Sequence, residues 1–385
     1  MYQAREFRIP SSIRFGFGAS LDTGAAAKAL GTHALLVTDA FMVSSGACAP
    51  VIASLKEAGL SVTVYDGVNS EPDLQHIAAG LEALRTGNCD VIVALGGGSP
   101  LDAAKAVSIM ASNAGAIEEY MGLGKVQNPG IPVIAVPTTA GTGSEATQFT
   151  IITDTARDVK MLIGSPFILP HTAILDPGLT FGMPKSLTAA TGLDALTHAI
   201  EAYVSRKAQP MSDVMALSAV RLLGANLLTA WQEPGNKEAR SNAMLGSLQA
   251  GIAFSNASVC LVHGMSRPIG AVFHVAHGVS NAALLADVME FSLSGNIARY
   301  AQIALALGVE EKESAEATAK AGVDRVRAMV AAMEVPSCGM LGVTKEKLDA
   351  VAGKMADDAI ASGSPGNNPR IATREEIIAL YYKAL

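Results

Sequence analysis

Asp90-Val-Ile-Val-Ala-Leu95 runs without a break into Gly96-Gly97-Gly98-Ser99-Pro100 and then into Leu101-Asp-Ala-Ala-Lys-Ala-Val107. The first six residues suit a strand covered on both faces, and the last seven read as the start of an Ala-rich helix. Between them, three glycines let backbone come close to a ligand, ahead of a helix start that offers unpaired N–H groups and a positive dipole end. A pyrophosphate is the natural occupant. Ser99 is expected to cap this helix, with Pro100 at its first position and Asp102 closing the cap. The same glycines would also serve a tight turn without a ligand, and the run is neither G-x-G-x-x-G nor a Walker A sequence.

The strand-then-helix order recurs outward from this point. Strand-like runs at 34–38, 61–65, 90–95, 132–137 and 173–176 rarely alternate with polar residues, and amphipathic helices are expected at 50–58, 74–85 and 101–112. That is the pattern of a doubly wound parallel sheet. Residues 7–19 read as a hairpin ahead of it. After Pro184 the chain turns to long helical periodicities, so two domains are expected, 1–185 α/β and 186–385 all-α. Thr373 and Glu376 form a capping box before the last helix. Residues 362–370, Ser-Gly-Ser-Pro-Gly-Asn-Asn-Pro-Arg, read as a surface loop.

Composition narrows the function classes. The 385 residues are 50% hydrophobic, 16% charged and 5% aromatic, which describes a packed globular chain and not a disordered one. A net charge of -7 provides no basic field for nucleic acid. Cys48, Cys89, Cys260 and Cys338 are scattered, with neither a disulfide framework nor a zinc ribbon in their spacing. A reducing compartment, the cytoplasm, is expected, and the mixed-charge start Met1-Tyr-Gln-Ala-Arg-Glu argues against a secretory leader. Residues 241–266 contain no Asp, Glu, Lys or Arg and are long enough to span a bilayer. Gln249, Asn256 and His263 within them argue for a helix buried in protein, so no membrane partner is expected.

A second polar loop, Pro137-Thr138-Thr139-Ala-Gly-Thr142-Gly-Ser-Glu-Ala-Thr147, follows the run 132–137. In an open α/β sheet both loops would stand at the carboxyl ends of strands, where ligands bind. Asp39 ends another such strand, where a carboxylate bonds a ribose hydroxyl and repels a 2'-phosphate, favouring NAD over NADP. Its simpler role is a helix cap. In the second half, Asp194 and His198 are four apart on an expected helix, and His263 and His277 form a further pair. Three imidazoles and a carboxylate suit Fe2+, Zn2+, Ni2+ or Mn2+. Spacing alone equally allows an ordinary helix contact and satisfied core histidines.

Taken together, Gly96-Gly-Gly-Ser-Pro-Leu-Asp-Ala-Ala-Lys-Ala, Pro137-Thr-Thr-Ala-Gly-Thr-Gly-Ser-Glu, Gly192-Leu-Asp-Ala-Leu-Thr-His-Ala-Ile-Glu and the His263 to His277 segment resemble the iron-containing alcohol dehydrogenases, in order and spacing along nearly the whole chain. The resemblance implies an N-terminal NAD-binding α/β domain and an all-helical metal-binding domain, a dehydroquinate synthase-like architecture with metal and nicotinamide meeting between them. It implies a metal, Fe2+ in the first place, on Asp194, His198, His263 and His277. It points to Asp39 at the adenosine ribose and to Gly97, Gly98 and Ser99 at the pyrophosphate. Thr138, Thr139, Thr142, Thr147, Lys160 and Leu179 would stand around the rest of the cofactor. Phe149 and Phe254 fall where relatives line the substrate channel. The implied reaction is hydride transfer between NAD and a small primary alcohol or aldehyde, in a homodimer or larger homo-oligomer.

One position departs from the pattern. Many relatives carry a second histidine four residues after His263, thought to help move the proton, and this chain has Arg267. A guanidinium stays cationic and is no ordinary acid or base. It would serve structure or cofactor, or bind the carboxylate of a semialdehyde acid, making the chain an ω-hydroxy acid dehydrogenase. Zinc-dependent glycerol dehydrogenases and dehydroquinate synthases share the two-part plan with different ligand patterns. A non-catalytic NAD sensor is the alternative from another class.

Overall fold

Apolar runs with no polar face must be covered on both sides, and those of the first half become the interior of a sheet. The computed structural model describes residues 4–157 and 159–385. Along its first part come β1 (Ser12–Phe15), α1 (Thr23–Lys28), β2 (His33–Val37), α2 (Ala40–Ser44), α3 (Ala49–Glu57), β3 (Ser61–Tyr65) and α4 (Leu74–Thr86). There follow β4 (Val91–Gly96), α5 (Gly98–Met110), β5 (Gly122–Leu123), β6 (Val133–Pro137), β7 (Phe149–Asp154), β8 (Val159–Gly164) and β9 (Thr172–Leu175). The main sheet is parallel throughout, in the order β1-β9-β6-β4-β2-β3. Leu35, Ile92 and Ala94 pack on one side with Ala103 and Val107 of α5, while Leu36, Val91 and Val93 pack on the other with Val51 and Leu55 of α3. Alternate residues of each strand thus enter opposite cores, as a doubly wound sheet requires. The expected strands at 34–38, 61–65, 90–95, 132–137 and 173–176 lie within a residue of β2, β3, β4, β6 and β9.

Two expectations need correction in this part. Residues 7–19 do not form a hairpin: β1 is a single strand, parallel to β9 on the sheet edge, with Ile13 and Phe15 exposed. Its short alternating pattern reflects an edge position, not a turn. Ser99 does not cap α5 either. The helix starts a residue ahead of Ser99, its N-cap is Gly97, and no side chain bonds the cap. The glycines adopt the turn unaided, so the first-turn N–H groups are left open. A second sheet, β5-β8-β7, contains the antiparallel pair β7 and β8.

The remaining elements are helices: α6 (Lys185–Val204), α7 (Pro210–Gln232), α8 (Lys237–Ala257), α9 (Leu261–Phe273), α10 (His277–Ser292), α11 (Ile297–Ala306), α12 (Ala315–Ala332), α13 (Lys345–Ala361) and α14 (Arg374–Lys383). The chain divides into two units, Arg8–Phe181 and Gly182–Leu385, the latter joined by the described residues up to Phe7. Helices α6, α7 and α8 pack on one another, and α10 packs on α6 and α9. Helix α7 is long and apolar enough to cross a membrane, yet Ala216, Ala219, Val220 and Leu223 form a buried face on it.

Residues 241–266 are not one helix. Helices α8 and α9 meet at a 101° bend, with Ser258 at φ 65. The break is stabilised by Glu201, whose carboxylate accepts the N–H of Cys260 at 2.9 Å and of Val262 at 2.6 Å and so caps α9 from another helix. Residues 362–370 are likewise no simple surface loop. Ser364, Pro365, Asn367 and Asn368 are buried, with Asn367 Nδ2 donating to Ser258 Oγ and Val259 O and Asn368 Nδ2 to Ser292 Oγ. Side-chain amides that replace water explain how so polar a stretch can be buried. At Thr373 and Glu376 the expected capping box is present.

Candidate metal centre and cofactor cradle

On α6, Asp194, His198 and Glu201 follow at spacings of four and three and so share one face. His263 stands in the first turns of α9, and His277 opens α10. Gly278 allows α10 to reach α6, because a Cβ there would lie 2.4 Å from the carbonyl oxygen of Ala190. Asp194, His263 and His277 each offer a donor atom, all within 4.8 Å of one another. His263 Nε2 is 3.5 Å and His277 Nε2 3.9 Å from Asp194 Oδ1. Bonds of about 2.0–2.2 Å to a common cation put neighbouring donors about 3.0–3.5 Å apart, so the His263–Asp194 pair is already at that spacing and the His277 ring needs to move inward for all three to share a divalent ion. His198 joins the cluster through its ring, stacked 4.4 Å from that of His263 on one side and 4.2 Å from that of Phe254 on the other.

Two residues of the cluster were not foreseen. Glu201 Oε2 accepts from His263 Nδ1 at 2.7 Å. A carboxylate can only accept here, so Nδ1 carries a proton, and Nε2 is the nitrogen turned toward Asp194. Asn281, one turn after His277 and fully buried, places Nδ2 2.6 Å from Asp194 Oδ1 and 3.1 Å from Nε2 of both His263 and His277. Three acceptors around one nitrogen show how closely they converge. The spacing of Glu201 from Asp194 and His198, and of Asn281 from His277, was the signal available in sequence.

Electrostatics sort the donors. Burial alone would raise the Asp194 carboxyl, but the neighbouring His198, then the hydrogen bond from His263 and the His277 and His263 charges, hold it well below the carboxylate range. Burial holds His277 below its ordinary value, opposed by Asp194 and reinforced by His263, His198 and Arg267. His263 is raised: burial works against its charge, and hydrogen bonds to Asp194 and Glu201 outweigh it. An anionic Asp194 beside a neutral His277 suits a cation, whereas His263, held toward its charged form by two carboxylates, must release a proton to bind one. Arg267, a turn beyond His263, donates from Nη1 to Ser364 Oγ at 3.0 Å.

The other candidate residues lie on the α/β unit. Gly96 pairs with Pro137 across β4 and β6, and Thr138 N donates to Gly96 O at 2.9 Å, so the two polar loops start side by side. A Cβ on Gly98 would lie 2.8 Å from Thr142 Cγ2, and one on Gly97 3.6 Å from Thr139 Cγ2. Gly97 and Gly98 therefore meet Thr139 and Thr142, and Thr138 is held to Gly96. Lys105, wholly buried, pins the second loop to α5 by donating to Ser144 O at 2.6 Å, Ser144 Oγ at 2.8 Å, Thr147 Oγ1 at 2.9 Å and Phe149 O at 2.7 Å. Asp102 accepts from Ser144 Oγ at 2.5 Å and from Ile151 N at 3.0 Å. The remaining candidates have partners of their own. Asp39 caps α2 through Met42 N, Lys160 pairs with Glu71, Leu179 packs against the core that contains Leu36, and the ring of Phe149 lies over Gly164.

Residues 10–177 match the family model described as iron-containing alcohol dehydrogenase, and 188–385 match its C-terminal counterpart. The chain is 38% identical to an NAD-dependent methanol dehydrogenase of Bacillus methanolicus, over 98% of this chain and 99% of the relative. It is also 38% identical to a lactaldehyde reductase of Escherichia coli, over 91% of each. The crystal structure of a 1,3-propanediol oxidoreductase superposes with a TM-score of 0.96 at 37% identity, covering 100% of both chains. This chain belongs to the iron-containing alcohol dehydrogenase family.

Proposed function

We propose that the chain is an NAD-dependent alcohol dehydrogenase that moves a hydride between the cofactor and a small primary alcohol or its aldehyde, with a divalent ion on Asp194, His198, His263 and His277. The observation that carries this reading is the convergence of Asp194 Oδ1, His263 Nε2 and His277 Nε2. When bound, a divalent ion supplies Lewis-acid polarisation of the substrate oxygen, and Fe2+ is the ion we expect, with Zn2+, Ni2+ and Mn2+ compatible with the same donors. In the oxidative direction the carbinol C–H bond breaks, its electron pair and hydrogen pass to NAD+, the hydroxyl proton leaves to solvent, and a C=O bond forms. The chain's own residues arrange this. Asp194 contributes the charge that retains a dication, Glu201 keeps the His263 proton on Nδ1, and Phe254 holds the His198 ring by stacking.

For the cofactor, we assign the pyrophosphate to the open N–H groups of Gly98 and Ser99 behind Gly97, and the ribose to Asp39. Thr138, Thr139 and Thr142 line the same cradle, and Thr147, held by Lys105, positions it. Lys160 and Leu179 follow from family position, and on the same ground Phe149 and Phe254 are assigned to the substrate and not to the cofactor. We further assign the chain to the cytoplasm and to a homodimer or larger homo-oligomer, as the family reading implies. The test is an anaerobic assay of NADH absorbance on Fe2+-loaded protein with short alcohols and diols. Turnover that disappears in His263→Ala supports the reading, and absence of hydride transfer with every metal and alcohol refutes it.

A further inference from the structure

Next to the candidate metal cluster stands a cation with no carboxylate in contact with it among the described residues. Arg267 is one turn beyond His263 on α9 and is sunk deeply enough to lose much of its hydration, and its charge acts on both His277 and Glu201. Its hydrogen bond is Nη1 to Ser364 Oγ, and among the described residues it enters no ion pair. Other arginines that leave the surface differ. Arg299 pairs with Asp213 and Arg370 with Glu376, while Arg240 has Nη2 sealed from solvent without a partner. The uncommitted N–H groups of Arg267 are not sealed in this way. Anchored at one nitrogen and open at the others, the guanidinium presents the planar donor fork that matches a carboxylate.

Charge balance points the same way. A divalent ion on the cluster would be balanced by Asp194 and Glu201, both buried, and Glu201, the one carboxylate that acts on Arg267, would then be shared with the ion, leaving the guanidinium short of negative charge. A partly buried charge without a contact counter-ion is destabilised, and a ligand that brings the missing negative charge recovers part of that cost. A neutral alcohol does not. We propose that Arg267 is the specificity residue of this centre and reads an anionic group at the far end of the substrate, so that the preferred substrates are short ω-hydroxy acids and their aldehyde acids. This rests on the dehydrogenase reading above for the reacting end alone.

Two aldehydes of matched shape test it, 4-oxobutanoate and 4-methylpentanal, whose terminal isopropyl group replaces the carboxylate, each reduced with NADH by the Fe2+-loaded protein under argon. The kcat/KM ratio of the acid to the neutral aldehyde is expected to be at least about 10, as a charge-assisted hydrogen bond implies. In Arg267→Met the ratio should fall to about one, Arg267→Lys should restore part of it, and Ser364→Ala should lower it a few-fold by freeing the anchor. In parallel, calorimetry with butyrate reads the anion contact without turnover, and Arg267→Met should weaken it by about tenfold or more. A parent ratio near one, or a ratio and butyrate affinity unchanged in Arg267→Met, overturns the proposal while leaving the dehydrogenase intact. If neither aldehyde turns over, the dehydrogenase reading fails, and the butyrate comparison still decides whether Arg267 holds an anion.

Discussion

Glu201 Oε2 lies 2.7 Å from His263 Nδ1, and the same carboxylate accepts the backbone N–H groups that open α9. One side chain on α6 therefore orients a metal-binding candidate and positions the helix that carries it. Partners of this kind set the tautomer and basicity of an imidazole donor.

Replacing Glu201 with Gln keeps the shape and removes the charge. Metal affinity, measured by competition with a chromophoric chelator, is expected to drop about 10- to 100-fold. An unchanged affinity would show that His263 is oriented by something other than this contact.

The cradle is tested at Gly98. An added methyl would sit 2.8 Å from Thr142 Cγ2, so the two loops must separate. Gly98→Ala is expected to raise the NAD dissociation constant by about tenfold, equivalent to about 1.4 kcal/mol. Gly235→Ala, with nothing within 4 Å of the added Cβ, should not. Equal NAD affinities in both variants would remove the pyrophosphate from the start of α5.

Much of this architecture was readable before the fold was known, and the exceptions share a cause. The runs around β2, β4 and β6 announce themselves because strands buried on both faces admit almost no polar residue. Strand β1 sits at an edge with half its residues in solvent, and β7 and β8 are similarly mixed, so their patterns resemble those of turns. The ligand candidates were legible from residue type and family spacing. Glu201 and Asn281 share helical spacing with the ligand candidates, but their contacts, like those of the buried amides of residues 362–370, were not legible, because those partners lie far away in sequence and only the fold brings them close.

A pH experiment probes the buried charges under the cradle. Burial raises Glu145 from 4.5 to about 7, with its backbone hydrogen bond and Lys105 working against the shift. Between those values the folded chain keeps a proton that the unfolded chain releases, so stability contributed by the protonated form is full below pH 4.5 and declines as pH rises toward 7. Glu145→Gln cannot ionise and should flatten that decline by up to about 3 kcal/mol. Urea midpoints at pH 5 and pH 7.5 read the difference. Parallel midpoints in parent and variant would mean that Glu145 titrates as an exposed carboxyl.

The most direct test of the account is metal content measured beside hydride transfer. Protein reconstituted with Fe2+ under argon and desalted should hold about one ion per chain by elemental analysis and reduce NAD+ with a short primary alcohol, and both properties should fall together in Asp194→Ala and His277→Ala. A parent that oxidises alcohol with no bound metal, or variants that keep full metal and full activity, would contradict the claim that this cluster is the catalytic centre.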